Sequence, residues 1–168
     1  MANMTITTPD IDQIRALINP DFSADDLETP VITGEAFSEA NDHVFTQVFA
    51  CIEPTALNTQ QKALYDNINT GAEVDIDGFM DTILFIRQRE QFKRAIIHQT
   101  AGNLRMSLST SERIQAYEYE RSGKTLTPME QAQHLYDIAN DNISRIKSFY
   151  TDDAIKKKQP TLNLFHIA

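Results

Sequence analysis

Cysteine is nearly missing from this sequence and tryptophan wholly so: 168 residues contain Cys51 and no indole. With one thiol, no disulfide can close within the chain, and the paired-cysteine spacings of zinc and redox centres are excluded. A reducing intracellular compartment fits, with Cys51 as a small buried apolar side chain. Glycine is also scarce, at five residues, and no P-loop, G-x-G-x-x-G or G-x-S-x-G pattern occurs, so phosphate-cradling loops and a nucleophile elbow are not expected. Basic charge is in deficit: 15 Lys and Arg face 24 Asp and Glu, a net charge of -9 that repels a phosphate backbone and disfavours a duplex-gripping protein. Long apolar runs are missing too. The longest aliphatic or aromatic run is Ile83 to Ile86, and Met1 to Asp10 lacks the basic start and apolar stretch of a signal peptide. Neither a membrane span nor a leader is expected.

What is present is an ordinary globular composition, 41% hydrophobic and 23% charged, at a length suited to one domain with its own core. The patterning is helical. Thr8 reads as a cap followed by Pro9 at the first helical position, with Ile11, Ile14, Leu17 and Ile18 on one stripe before Pro20. Ser23 to Asp26 starts a single turn. Thr29-Pro30 repeats the cap signal, and Phe37, Ala40, Val44, Val48 and Phe49 predict one helix from Pro30 to about Cys51. After Pro54, the stretch from Thr59 to Asn69 carries Ala63, Leu64 and Ile68 on one face. The longest predicted helix runs from Asp77 to about Leu104. Its Phe79, Ile83, Phe85, Ile86, Phe92, Ile96 and Ile97 cover more than one face and give it a central place, with loosening expected at Gly102. Helical period then lapses between Ser107 and Thr127, where Tyr117 and Tyr119 alternate with acids and Ser122-Gly123 signals a turn, as in an extended arm or hairpin. Thr127-Pro128-Met129-Glu130 is a capping box that opens a last helix with Ala132, Leu135, Ala139, Ile143, Ile146 and Tyr150 in register. The expected architecture is an all-α helical bundle over residues 1–150 with an extended C-terminal tail over residues 151–168.

Catalytic or metal chemistry finds few candidates. Glu73, Asp75, Asp77, Gly78 and Asp81 imitate a calcium loop, but Leu84 stands where the closing bidentate glutamate belongs, so an acidic helix start is the better account. His43, His98, His134 and His166 are dispersed and form no short ligand motif. Within the long apolar helix, His98 reads as a hydrogen-bonded core or interface histidine. The pairs Asp25-Asp26 and Asp152-Asp153 sit beside helix ends, where capping or solvation explains them, and Lys156 to Lys158 read as a solvated spacer. No catalytic residue, cofactor or metal is expected.

The tail is the least ordinary feature. Leu162, Leu164, Phe165 and Ile167 follow a charged linker and Pro160, too short a stretch for another helix, and four such side chains need a surface to cover them. They fit either this chain's own helices or a partner's groove or sheet edge.

Three segments carry a family resemblance. They are Asp25-Asp26-Leu27-Glu28-Thr29-Pro30-Val31-Ile32, the stretch from Phe92 to Ala101, and Ser109 to Tyr119, in which Ser111-Glu112-Arg113 precedes a tyrosine-containing extended segment. With the final capped helix and tail, this order resembles the head-tail connector adaptor proteins of tailed bacteriophages, loosely from Ile11 to Ala168. The stretch from Glu53 to Asp77 is longer than in compact members. The resemblance implies a structural virion protein made in the host cytoplasm and placed in the neck. It implies a dodecameric ring whose tails, through Leu162, Leu164, Phe165 and Ile167, reach the portal protein. The opposite face would receive a neck or tail connector protein, with Tyr117 and Tyr119 of the arm as further contacts, and DNA would pass through the centre without specific binding. A different class is a cytosolic helical regulator or inhibitor that binds one protein partner through the same tail. A third is a helical hydrolase assembled around Asp75, Asp77 and His98, which a bound metal would reveal.

Overall fold

A computed structural model describes residues 4, 6–50, 52–70, 83–108, 119–121 and 124–150. The first helix, α1 (Thr8–Ile18), starts one residue earlier than the sequence suggested. Thr7 rather than Thr8 is the cap, because its amide and hydroxyl both donate to Asp10 Oδ2 at 2.7 Å, an i to i+3 arrangement open only to Thr7. Ser23 caps the next turn in the same way, its amide and hydroxyl both reaching Asp26 Oδ2.

The helix expected from Pro30 to Cys51 is broken in two: α2 (Thr29–Thr33) and α3 (Glu35–Phe49) meet at Gly34. A β carbon on Gly34 would lie 2.9 Å from the Pro30 carbonyl, so the bend places the chain where only glycine fits. A 3-10 turn at Pro54–Ala56 leads to α4 (Thr59–Thr70). Its cap is Asn58, which exchanges hydrogen bonds with Gln61 at 2.8 and 3.1 Å.

The central helix, α5 (Ile83–Ser107), packs against α1, α3 and the last helix, α6 (Pro128–Lys147). It passes through Gly102 as continuous helix, contrary to the expected loosening there. Propensity is overridden by packing: a β carbon on Gly102 would sit 2.4 Å from the Tyr136 ring, so glycine is what lets α5 and α6 approach this closely. Between them, β1 (Tyr119–Arg121) and β2 (Lys124–Leu126) pair antiparallel, with Tyr119 opposite Leu126, as the expected hairpin. The Thr127 capping box of α6 is formed, with the Thr127 amide donating to Glu130 Oε2 at 2.8 Å.

Two apolar clusters fill the interior, and α5 serves both. Phe85, Phe92, Ala95 and Ile96 join Val44, Phe45, Val48 and Phe49 of α3, Leu64 of α4, and Ile143 and Ile146 of α6. Ile97, Ala101 and Leu104 instead meet Ile14 and Ile18 of α1, Ile32 of α2 and Leu135 of α6. The multi-sided burial expected of this helix holds for those residues. Ile86 departs from it at 52% exposed, lying off both buried stripes.

Candidate functional site

Three depressions follow one another along α6, here taken together as a furrow, walled by α5 near the helix C-terminus and by α1 near its N-terminus. Its three stretches share wall residues, Arg145 joining the first two and Ile138 the last two.

The stretch nearest the end of α6, about 480 Å³, is lined by Arg87, Gln88 and Gln91 of α5 and by Arg145, Ser148 and Phe149. Gln88 lies between Phe85 and Phe92 in sequence on the buried side of α5 and is 5% exposed. Its Oε1 and that of Gln91 are buried with no hydrogen-bond partner. Buried acceptors of this kind are rare, because each keeps its desolvation cost without return. Two buried amide oxygens without partners thus lie beside two guanidinium groups.

The middle stretch, about 490 Å³, is polar and of mixed charge. Asp10 at the start of α1 meets Lys93 at 3.4 Å, and Arg145 pairs with Asp141 at 2.8 Å. Burial alone would raise the Asp10 pKa. The hydrogen bonds from Thr7 and the nearby Lys93 ammonium together hold it below the ordinary carboxylate value. His98 faces this stretch half-buried, with Nδ1 2.8 Å from the Arg94 carbonyl. Burial depresses its pKa; the Arg94 carbonyl opposes that, while the positive charges of Arg94 and His134 add to it.

A folded pKa below the unfolded value means the unfolded chain binds the proton more readily. The contribution of His98 to stability is thus complete above pH 6.5 and lost as pH falls through the depressed folded value. Urea midpoints of the wild type and H98Q, measured from pH 8 to pH 5, should show the wild type losing more stability on acidification. Parallel curves would remove His98 as the cause. Asp10 titrates below 3.8 in the fold, outside this window.

The third stretch, about 220 Å³, is mainly apolar: Ala16, Leu17 and Pro20 face Leu126 of the hairpin and Leu135 and Ile138 of α6, with Gln131 and His134 alongside. Gln131 belongs to a deeper network. The Arg105 guanidinium, fully buried, donates to the Ile18 carbonyl and to Gln131 Oε1, and Gln131 Nε2 donates to the Leu126 carbonyl at 2.7 Å. One cation thereby ties the last carbonyl of α1 to α6 and the hairpin, and positive charge at a helix C-terminus is favoured by the helix dipole.

Of the residues expected to contact partners, Tyr119 lies in β1, and its backbone partner Leu126 lines the apolar stretch. Tyr117, Leu162, Leu164, Phe165 and Ile167 lie outside the described residues, as do Cys51, Glu73, Asp75, Asp77, Gly78, Asp81, Asp152-Asp153, Lys156 to Lys158 and His166. Leu84 falls in the first turn of α5. His43 is exposed on α3, whereas His98 and His134 come near each other across α5 and α6, a pairing no sequence spacing announces. Among the described residues, no three His, Cys, Asp or Glu side chains converge to hold a metal ion, and no helix is long and apolar enough to cross a membrane. The furrow itself escaped the sequence reading. Its one sequence signal is Gln88, a polar residue three positions after Phe85 and four before Phe92 on an otherwise apolar stripe.

No family model matches this chain, and no curated protein or solved structure matches it significantly.

Proposed function

We propose that this chain is a structural adaptor subunit that works by docking onto other proteins, as a head-tail connector ring component of a tailed bacteriophage. It would join the portal to neck or tail components around a DNA channel. The observation that carries the reading is how the end of α6 is fixed. Tyr150 is 2% exposed and meets Phe49 edge-on, and the Phe149 carbonyl accepts from Gln61 Nε2 at 3.1 Å. Tyr150 is therefore a fixed point from which a segment carrying Leu162, Leu164, Phe165 and Ile167 could be offered to a neighbouring ring. Copies arranged around a ring would engage with high effective concentration, so that weak single tails bind firmly together. The hairpin between α5 and α6, and the net charge of -9, suit a lateral contact and a channel wall that does not grip phosphate.

Co-sedimentation with portal rings from the same source tests this. The intact chain should pellet with the rings at ring stoichiometry. A chain ending after Asp153, or a full-length chain with Leu162, Leu164, Phe165 and Ile167 all changed to Asp, should stay in the supernatant. Binding by none of the three would turn the assignment toward a cytosolic regulator with a single protein partner.

A further inference from the structure

Charge is divided unevenly over this fold. The first 50 residues hold nine acids and one base, Arg15, and with them nearly the whole net charge of -9. Arg15 is buried and engaged with the Leu27 carbonyl, Asp12 and Thr29. Glu35, Glu39 and Asp42 of α3 are exposed and have no ion-pair partner among the described residues. On α5 the balance is reversed, with five bases and one acid, Glu90. Its Arg87 and Arg94 are exposed, and neither has an ion-pair partner among the described residues. We infer that subunits associate head to tail, the Arg87 and Arg94 face of α5 in one copy meeting the Glu35, Glu39 and Asp42 face of α3 in the next.

Each face is a single helical stripe. Glu35, Glu39 and Asp42 stand at i, i+4 and i+7, and Arg87 and Arg94 at i and i+7, so each set shares one side of its helix. The two sides look away from each other. At 3.6 residues per turn, Asp42 lies roughly 200° around α3 from Val44, which is buried in the cluster shared with α5. Arg94 likewise lies roughly 200° around α5 from Phe92, whose ring meets Phe45 and Phe49 of α3. Two helix bodies of about 10 Å each thus separate the charges, well beyond the screening length of about 8 Å at physiological ionic strength. Within one subunit they do not neutralise each other.

A second copy supplies what the first cannot reach. A two-fold dimer built on either face would set like charge against like, whereas a head-to-tail contact pairs opposite signs and repeats from copy to copy, closing into a ring or running on as a filament. Glu90, between the two arginines, reduces the positive field without cancelling it. Each face also has an apolar side chain to bury: Ile86, 52% exposed, precedes Arg87, and Val31, 45% exposed, lies four residues before Glu35. The inference deepens the adaptor reading, on which it rests only for the closure of these contacts into a ring.

Charge reversal tests the pairing. Sedimentation velocity of the full-length chain at about 50 mM salt should show a sedimentation coefficient that rises with protein concentration, and the rise should shrink at about 500 mM salt. R87E/R94E and, separately, E39K/D42K should each weaken self-association roughly tenfold or more. All four side chains are exposed, so far-UV circular dichroism and melting should stay close to the wild type. An equimolar mixture of the two variants should associate again, since one carries acid on both faces and the other base on both. A wild type that stays monomeric at low salt up to about 1 mM chain would overturn the proposal. So would self-association that neither variant weakens, or variants that stay apart when mixed. No portal is present in this measurement, so its outcome and that of the co-sedimentation are independent.

Discussion

Changing Phe92 to alanine should destabilise the fold by about 3–5 kcal/mol, the range for deleting a fully buried phenyl ring that its surroundings cannot replace. Phe92 is 0% exposed and lies at the crossing of α5 with α3: its centroid is 5.6 Å from those of both Phe45 and Phe49, stacked on Phe49 at 16°. Phe49 in turn meets Tyr65 and Tyr150 edge-on, so the ring at 92 holds together an aromatic cluster drawn from four parts of the chain. Against a total stability of about 5–15 kcal/mol, a loss of that size consumes a large share and should lower Tm by about 10 °C or more. Ile86 is the internal control. It lies on the same helix at 52% exposed, and I86A should change stability by less than about 0.5 kcal/mol. Equal urea midpoints for F92A and I86A would mean that α5 is not seated as described.

The second large effect belongs to Arg105. Replacing it with alanine should cost about 3 kcal/mol or more, since the change opens a cavity and also withdraws the donor from two buried acceptors, the Ile18 carbonyl and Gln131 Oε1. Methionine at 105 fills much of the space without donating, so R105M should recover the cavity part and not the hydrogen-bond part. The damage should also be directional. Gln131 passes its own hydrogen bond on to Leu126, and Arg105 reaches the end of α1; hydrogen exchange should therefore quicken at the α1 C-terminus and in Lys124–Leu126. Amides around Phe92 should be disturbed less. Uniform acceleration throughout the protein would contradict the local role assigned to the guanidinium.

The helices were legible because their signals are local. The Thr127 to Glu130 capping box needs four adjacent residues, and the stripe from Ala132 to Tyr150 needs only a period of 3.6; every one of those six apolar positions is buried. The misreadings arose where a distant neighbour decides. Nothing near Gly102 in sequence reveals that Tyr136 will lie over it, and there close packing of α5 on α6 overrules the low helix propensity of glycine. Gly34 was read through because the apolar period continues across it, although the chain turns there. The furrow was invisible for the same reason: Leu17, Leu126 and Leu135 are separate residues on three elements until α1, the hairpin and α6 converge. Arg105, too, is in sequence only a basic residue near a helix end, and its burial follows from the arrival of Ile18 and Gln131.

The bond from Arg105 to Ile18 spans 87 positions of sequence. A ribosome adding about 5–20 residues per second needs roughly 4 to 17 s to synthesise that interval. During it, Ile11, Ile14 and Ile18 are already made while their main counterpart, Ile97 to Leu104, is not yet complete. An N-terminal helix waiting that long with its apolar stripe uncovered is a natural client for a chaperone acting at the tunnel mouth. A permuted chain that began at α2 and carried α1 after α6 would shorten the wait to the time needed for its last few residues.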